Sequence, residues 1–134
     1  LGREAISSSA TASNQCTLGD SNISDLRCND QSISALSDAR DKTDVINLSY
    51  GLDFINKTRP VTFKWETRDG NVKDGKTHNG FIAQELLALG NNDQHRLVQN
   101  DNPNKLEAAY SNLLPMMVKA IQELSAKVEA LENA

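Results

Sequence analysis

A serine and a lysine five residues apart, Ser37 and Lys42, are the pair in this chain best suited to chemistry. A serine hydroxyl attacks a carbonyl efficiently only when a base removes its proton. Lysine can be that base once burial or a neighbouring cation favours its neutral form. Arg40 could supply the cation, whereas Asp38 and Asp41 would oppose the effect if they paired with Lys42. Because residues i and i+5 lie on different faces of a helix, we expect this segment to be irregular, or Lys42 to reach Ser37 of another copy.

An oxyanion formed by such an attack needs hydrogen-bond donors. Asn79 and the backbone near Gly80 are candidates, because they adjoin a second distinctive motif. His78 could assist as an acid or base, although a solvated loop histidine is the plainer interpretation. His95 shows no evident chemistry. No histidine or cysteine lies at metal-ligand spacing, so we expect neither a metal nor a cofactor.

The composition narrows the class of protein. The chain has 134 residues, of which 38% are hydrophobic, 24% are charged and only 4% are aromatic. A core this modest suggests that part of the stability comes from self-association. The net charge is −4 without a basic cluster, which argues against a nucleic-acid partner. No apolar run approaches the ~18 residues that span a membrane, and the absence of an initiator Met suggests a fragment of a longer chain.

Cys16 and Cys28 are the two cysteines of the chain. Two cysteines do not make a disulfide framework. We expect two small buried side chains in a reducing compartment. A disulfide between them is the alternative, because both lie in the same arm.

Residues 1–36 form an arm rich in Ser, Asn and Asp, with two related pieces that begin at Thr17 and Ile23. Their apolar residues are sparse and separated by turn residues. One copy cannot bury enough apolar surface to fold alone, but identical segments from several chains could pack into a β-rich stem. A disordered serine-rich linker is the alternative.

Apolar spacing predicts a helix over 43–58, which Pro60 ends. Leu48 belongs to its apolar face, and Tyr50 and Phe54 pair on the flank. Gly51 weakens this helix.

Alternation predicts a strand over 61–65, with Phe63 and Trp65 packed in the core. Turn residues then separate further elements. These are strands over 77–82, 97–99 and 106–110, and a helix over 83–89 that Gly90 stops.

The last segment carries a heptad pattern. Its apolar residues are Leu114, Ile121 and Val128 at position a, and Met117, Leu124 and Leu131 at position d. Ser111 is the expected N-cap, and Pro115 falls in the first turn. Val118 and Ala120 widen the apolar face, which favours three strands, whereas Ile and Val at a with Leu at d favour two. The alternative is an amphipathic helix packed on its own domain.

Five sequence motifs follow one another along this chain. They are Ser37-Asp38-Ala39-Arg40-Asp41-Lys42, the apolar helix, Arg59-Pro60-Val61-Thr62-Phe63-Lys64-Trp65, Gly80-Phe81-Ile82-Ala83-Gln84-Glu85-Leu86, and Tyr110-Ser111-Asn112-Leu113-Leu114-Pro115 leading into Ala120-Ile121-Gln122-Glu123-Leu124. With these pieces, residues 37 to about 131 resemble the intramolecular chaperone auto-processing domain found at the C-terminus of phage tail spikes, tail fibres and neck appendages. Peptidase classifications place that family among the serine peptidases.

The resemblance implies an α+β domain that forms an intertwined homotrimer. Residues 1–36 would be the end of a trimeric β-rich fibre or spike stem, and residues 37–134 the chaperone, with a coiled-coil-forming helix over 110–133. Three copies would bring three fibre chains into register, so the partner is the fibre part of the same polypeptide, with no nucleic acid and no membrane. The family's placement implies assembly in the cytoplasm of the infected host and a fibre that stays on the virion tail.

The resemblance also implies release of the chaperone by cleavage of the Leu36–Ser37 bond. Ser37 would be the nucleophile and Lys42 the general base, with Asp38, Arg40 and His78–Gly80 as supporting candidates. Such a chain is a single-turnover serine peptidase. Two alternatives stay open: an uncut trimerisation tip that remains on the virion, and a receptor- or glycan-binding tip, for which the chain has few aromatics.

Overall fold

Short strands and short helices precede one long C-terminal helix in the computed structural model, which describes residues 1–2, 5–8, 10–20, 22–23 and 25–134. In chain order the elements are α1 (Leu52–Ile55), β1 (Val61–Phe63), β2 (His78–Gly80), α2 (Ala83–Ala88), α3 (Asn92–His95), β3 (Val98–Gln99), β4 (Glu107–Ala108) and α4 (Leu113–Glu132). Two 3-10 turns cover Ala39–Asp41 and Tyr110–Asn112. The predicted mixture of short strands and helices ending in a long helix is confirmed. No helix in these described ranges is both long and apolar enough to cross a bilayer.

Two antiparallel strand pairs organise the middle of the chain. In the first pair, Val61 lies opposite Gly80 and Phe63 lies opposite His78. The second pair joins β3 to β4. The predicted strand over 77–82 ends at Gly80, because the next helix begins only three residues later.

The predicted helix over 43–58 is wrong in extent, since only Leu52–Ile55 is helical. Asp44 has a left-handed backbone with a φ of 52°, and Gly51 has a φ of −134° and a ψ of −132°. Neither conformation can continue a right-handed helix. The predicted meeting of Tyr50 and Phe54 is nevertheless confirmed, with ring centroids 5.0 Å apart.

The core lies where α1, α2 and α4 meet the second strand pair. Its buried members are Phe54, Leu86, Leu97, Val98, Leu113 and Met116. The predicted core position of Trp65 is wrong, because 46% of its surface is exposed. It follows the end of β1, and its ring rests edge-on against Phe63 with centroids 5.0 Å apart.

Helix α4 presents two different apolar faces. Leu113, Met116 and Ala120 are buried against the rest of the domain. The heptad seam lies on another face and is exposed, from 45% at Val128 to 78% at Leu131. The helix therefore packs on its own domain, as the alternative interpretation expected, but it does so through residues outside the heptad seam. Ser111 lies in the 3-10 turn rather than at the helix N-cap.

The structure of the arm agrees with the expectation that one copy of a segment with so few apolar residues does not fold alone. No strand occurs in the parts of residues 1–36 that the structure describes, and the β-rich stem stays a prediction about several chains. Ser21 and Ser24, in the two related pieces, lie outside the described residues. Cys16 and Cys28 are exposed and unbridged, so their predicted burial is wrong. One arm has too little apolar surface to cover them.

His95, to which the sequence assigned no role, is a buried polar residue of the core. Its Nε2 lies 2.7 Å from the Gly90 carbonyl, and its Nδ1 accepts the Leu97 N–H at 3.3 Å. An accepting Nδ1 requires the proton on Nε2, so the ring is the neutral Nε2–H tautomer. Its ring also contacts those of Tyr50 and Phe54.

Replacing His95 with Phe should lower the free energy of unfolding by about 1–3 kcal/mol, because the buried Leu97 N–H loses its acceptor and the Gly90 carbonyl loses its donor while the ring packing survives. Urea denaturation at a fixed protein concentration measures the change. His78→Phe is the matched control, since His78 pairs at the surface, where such pairs contribute about 0–1 kcal/mol. Equal losses in both variants would contradict the assigned role of His95.

Candidate functional site

A 3-10 turn brings the predicted serine and lysine together. Asp38 caps this turn: its Oδ1 accepts the Arg40 N–H at 2.9 Å, and the Lys42 N–H donates to the Ala39 carbonyl at 3.3 Å. The chain therefore reverses between the two candidate residues. Lys42 Nζ donates a hydrogen bond of 2.6 Å to Ser37 Oγ within the same chain. This is the irregular segment that the sequence required for a contact within one chain.

Arg40 does not act on Lys42 in this arrangement. Its guanidinium forks onto the Asp38 carboxylate, with Nε 3.0 Å from Oδ1 and Nη2 2.7 Å from Oδ2. The guanidinium and the Arg40 N–H lower the pKa of Asp38, in that order of importance. The charges of Arg40 and Asp38 are therefore paired with each other. Lys42 is left with Ser37 as its hydrogen-bond partner.

The bond that would be cut is open to solvent. Leu36 is 79% exposed, and Ser37 and Lys42 are exposed as well. A neutral lysine is favoured by burial away from water. The described residues of one copy do not provide that burial for the Ser37–Lys42 pair.

The second group of candidates lies in β2, apart from this pair. His78 Nε2 is 2.9 Å from Asp74 Oδ2, and the hydrogen bond to His78 is the largest cause that lowers the pKa of Asp74. The His78 ring stacks on Phe63, with centroids 5.7 Å apart. Asn79 is exposed. Across the described ranges, no hydrogen bond joins His78, Asn79 or Gly80 to residues 37–42, and their role as supporting residues stays a prediction.

Gly80 has a packing role. A β-carbon at this position would lie 2.7 Å from the Tyr110 hydroxyl, which is closer than such atoms approach. The same hydroxyl accepts the Phe81 N–H at 3.2 Å. Two of the sequence motifs, one beginning at Gly80 and one at Tyr110, therefore meet at this point.

Other motif residues also contact each other across the fold. Arg59 forms a forked ion pair with Glu85, with Nε 3.0 Å from Oε2. Glu123 accepts the Leu52 N–H at 2.8 Å. The sequence analysis missed both contacts. The one available signal was that Arg59, Glu85 and Glu123 are charged residues within the sequence motifs and had been given no role.

The structure offers no obvious ligand set for a metal. Within the described part of the chain, no group of three or more His, Cys, Asp or Glu side chains could hold an ion.

Comparison with known families identifies the middle of the chain. The family model described as chaperone of endosialidase matches residues 37–93. The match begins at Ser37 and includes the motifs that start at Arg59 and Gly80. The predicted family is thereby confirmed. No curated protein and no solved structure shows a significant match to this chain.

Replacing Arg40 with Gln should raise the pKa of Asp38 towards its ordinary value of 3.8, because the guanidinium is the largest cause of the lowering. A carboxyl whose folded pKa is lowered stabilises the fold above its unfolded pKa, and this contribution is lost as the pH falls through the folded pKa. The variant should therefore lack this contribution, and its stability should fall less steeply with decreasing pH below about 4. Carbon-13 NMR titration of the Asp38 carboxyl tests this, with Arg27→Gln as the control. An unchanged Asp38 titration would refute the pairing.

Proposed function

We propose that residues 37–134 are a C-terminal intramolecular chaperone for a phage fibre or tail spike, because residues 37–93 match the family model described as chaperone of endosialidase. Three copies associate through α4, bring their fibre chains into register, and are then released by self-cleavage at Leu36–Ser37. Assembly takes place in the cytoplasm of the infected bacterium, and the fibre part remains on the virion tail.

The observation that carries the proposal is the exposed seam on α4. Its six apolar residues are 45–78% exposed, although the same helix buries other residues against its own domain. Fully burying a side chain of this kind contributes about 1.5–3 kcal/mol. A second copy of the same helix offers a matching heptad surface. Val118, at 47% exposed, widens this surface towards a third helix.

The 2.6 Å contact between Ser37 Oγ and Lys42 Nζ supports the self-cleavage step. In the proposed reaction, neutral Lys42 takes the hydroxyl proton and Oγ forms a bond to the carbonyl carbon of Leu36. The C–N bond then breaks, and the Ser37 nitrogen receives the proton from the Lys42 ammonium. Water hydrolyses the resulting ester, which gives a Leu36 carboxylate, the restored hydroxyl and a free Ser37 amine. Packing of three copies would supply the desolvation that the base needs.

One observation favours an uncut trimerisation tip as the second candidate. Ser37 and Lys42 are both exposed, and the nearby cation of Arg40 is held by Asp38. A tip of this kind uses the same seam and differs only in the Leu36–Ser37 bond. The mass of the assembled chain therefore separates the two functions.

Intact mass spectrometry of freshly produced chain should show fragments of residues 1–36 and 37–134. Ser37→Ala should leave the chain uncut, because the nucleophile is gone. Lys42→Gln should slow cleavage by about 10²–10⁴-fold, the usual contribution of a general base. Ser34→Ala, a matched change three residues away, should be cut like the parent. Continued cleavage of Ser37→Ala would refute the proposed mechanism. An intact parent chain would favour the uncut trimerisation tip.

Light scattering of the parent at micromolar concentration should give the mass of three chains. Leu124→Asp places a charge in the part of the seam that the proposed trimer would bury, and should give monomers. Ala126→Asp puts the same charge on an exposed position of the same helix outside the seam and should stay trimeric. A monomeric parent, or an Ala126→Asp variant that dissociates equally, would remove the argument for assembly through the seam.

A further inference from the structure

Glu123 belongs to the last sequence motif but not to the seam. It lies on the face of α4 that packs on the domain, three residues after the buried Ala120. Its Oε2 accepts the Leu52 N–H at 2.8 Å, at the start of α1. The side chain therefore bridges the long helix and a segment 71 residues earlier in the chain.

The backbone opposite Glu123 is shaped to admit the carboxylate. Gly51 is buried, and a β-carbon there would lie 2.5 Å from Oε2 and 2.6 Å from Oε1. Any residue with a side chain at position 51 would displace the carboxylate. On the other side of the Glu123 carboxylate, Lys119 Nζ lies 3.3 Å from Oε1 and forms an ion pair with it. The Leu52 N–H first, and then Lys119, lower the pKa of Glu123, which keeps it charged at neutral pH.

This contact anchors the part of the chain that leads back to the Ser37–Lys42 pair. Eight residues lie between Lys42 and Gly51, so these two positions are at most about 32 Å apart. Val45 and Ile46 in this stretch are 76% and 88% exposed and provide little anchorage. Tyr50 and Leu48 pack against the core just before the Glu123 contact. On the other side, Glu123 is followed directly by Leu124 of the seam.

We propose that Glu123 is a positioning residue that fixes residues 43–52 relative to the seam of α4, so that copies meeting at their seams hold their Ser37–Lys42 pairs in one set arrangement. The inference rests on the proposed function and deepens it. It assigns the link between assembly and cleavage to one carboxylate on the inward face of the assembling helix.

Glu123→Ala in the full chain tests this role by two measurements. Hydrogen exchange of the Leu52 amide should accelerate about tenfold or more, because a hydrogen bond to a charged acceptor is lost, while the amides of residues 117–122 keep their protection. Cleavage at Leu36–Ser37 in isolated trimers should slow by a similar factor. Glu123→Gln keeps an acceptor oxygen of the same reach and should restore most of both properties. Glu129→Ala, on the exposed side of the same helix, is the control and should behave like the parent.

Unchanged exchange at Leu52 in Glu123→Ala, or trimers of this variant that are cut as fast as the parent, would overturn the inference. So would a Glu123→Ala chain that no longer trimerises, because Glu123 would then act on the seam itself. If the parent chain is not cut at all, the self-cleavage part of the proposed function fails. The exchange of Leu52 alone then decides whether Glu123 positions the segment.

Discussion

The packing of α4 against α1 is the contact on which the rest of the structure depends. Leu113, Met116 and Ala120 bury one face of the helix, and Glu123 adds a charged hydrogen bond to the start of α1. These residues complete the packing of α4 on its own domain. The heptad seam is therefore not part of the core and is exposed. A single helix can thus close its own domain and still offer a complete surface to other copies. The spacing that separates the two faces follows from 3.6 residues per turn.

The Ser37–Lys42 pair depends on much more local forces. A capped 3-10 turn of three residues and the forked contact between Asp38 and Arg40 are sufficient to bring the two side chains together. What such a turn cannot provide is a dry environment, since it has no buried residue of its own. The geometry and the solvation of the pair therefore have separate origins. This separation suits a reaction that should wait until neighbouring chains are in place.

The sequence predicted best the features that depend on periodicity or on short-range geometry. The long helix α4, the helix before Gly90 and the first strand follow from spacing. The Tyr50–Phe54 contact is present although the predicted helix around it is much shorter. Partners distant in sequence were not predictable in this way. The fixed tautomer of His95 and the carboxylate that fills the place of a side chain at Gly51 both require the backbone of remote segments. The exposure of Trp65 and of the cysteines depends on what one copy can cover, which composition alone does not reveal.

The inward face of α4 ends at Glu123, whereas the helix continues to Glu132. Residues 124–132 are all exposed and form an overhang about 14 Å long. In the proposed assembly, this overhang would contribute to association without contributing to the core of the domain. Heptads could then be added or removed there to set how tightly copies associate, while the fold of each copy stays the same. Under that proposal, association strength and domain stability are separately adjustable quantities.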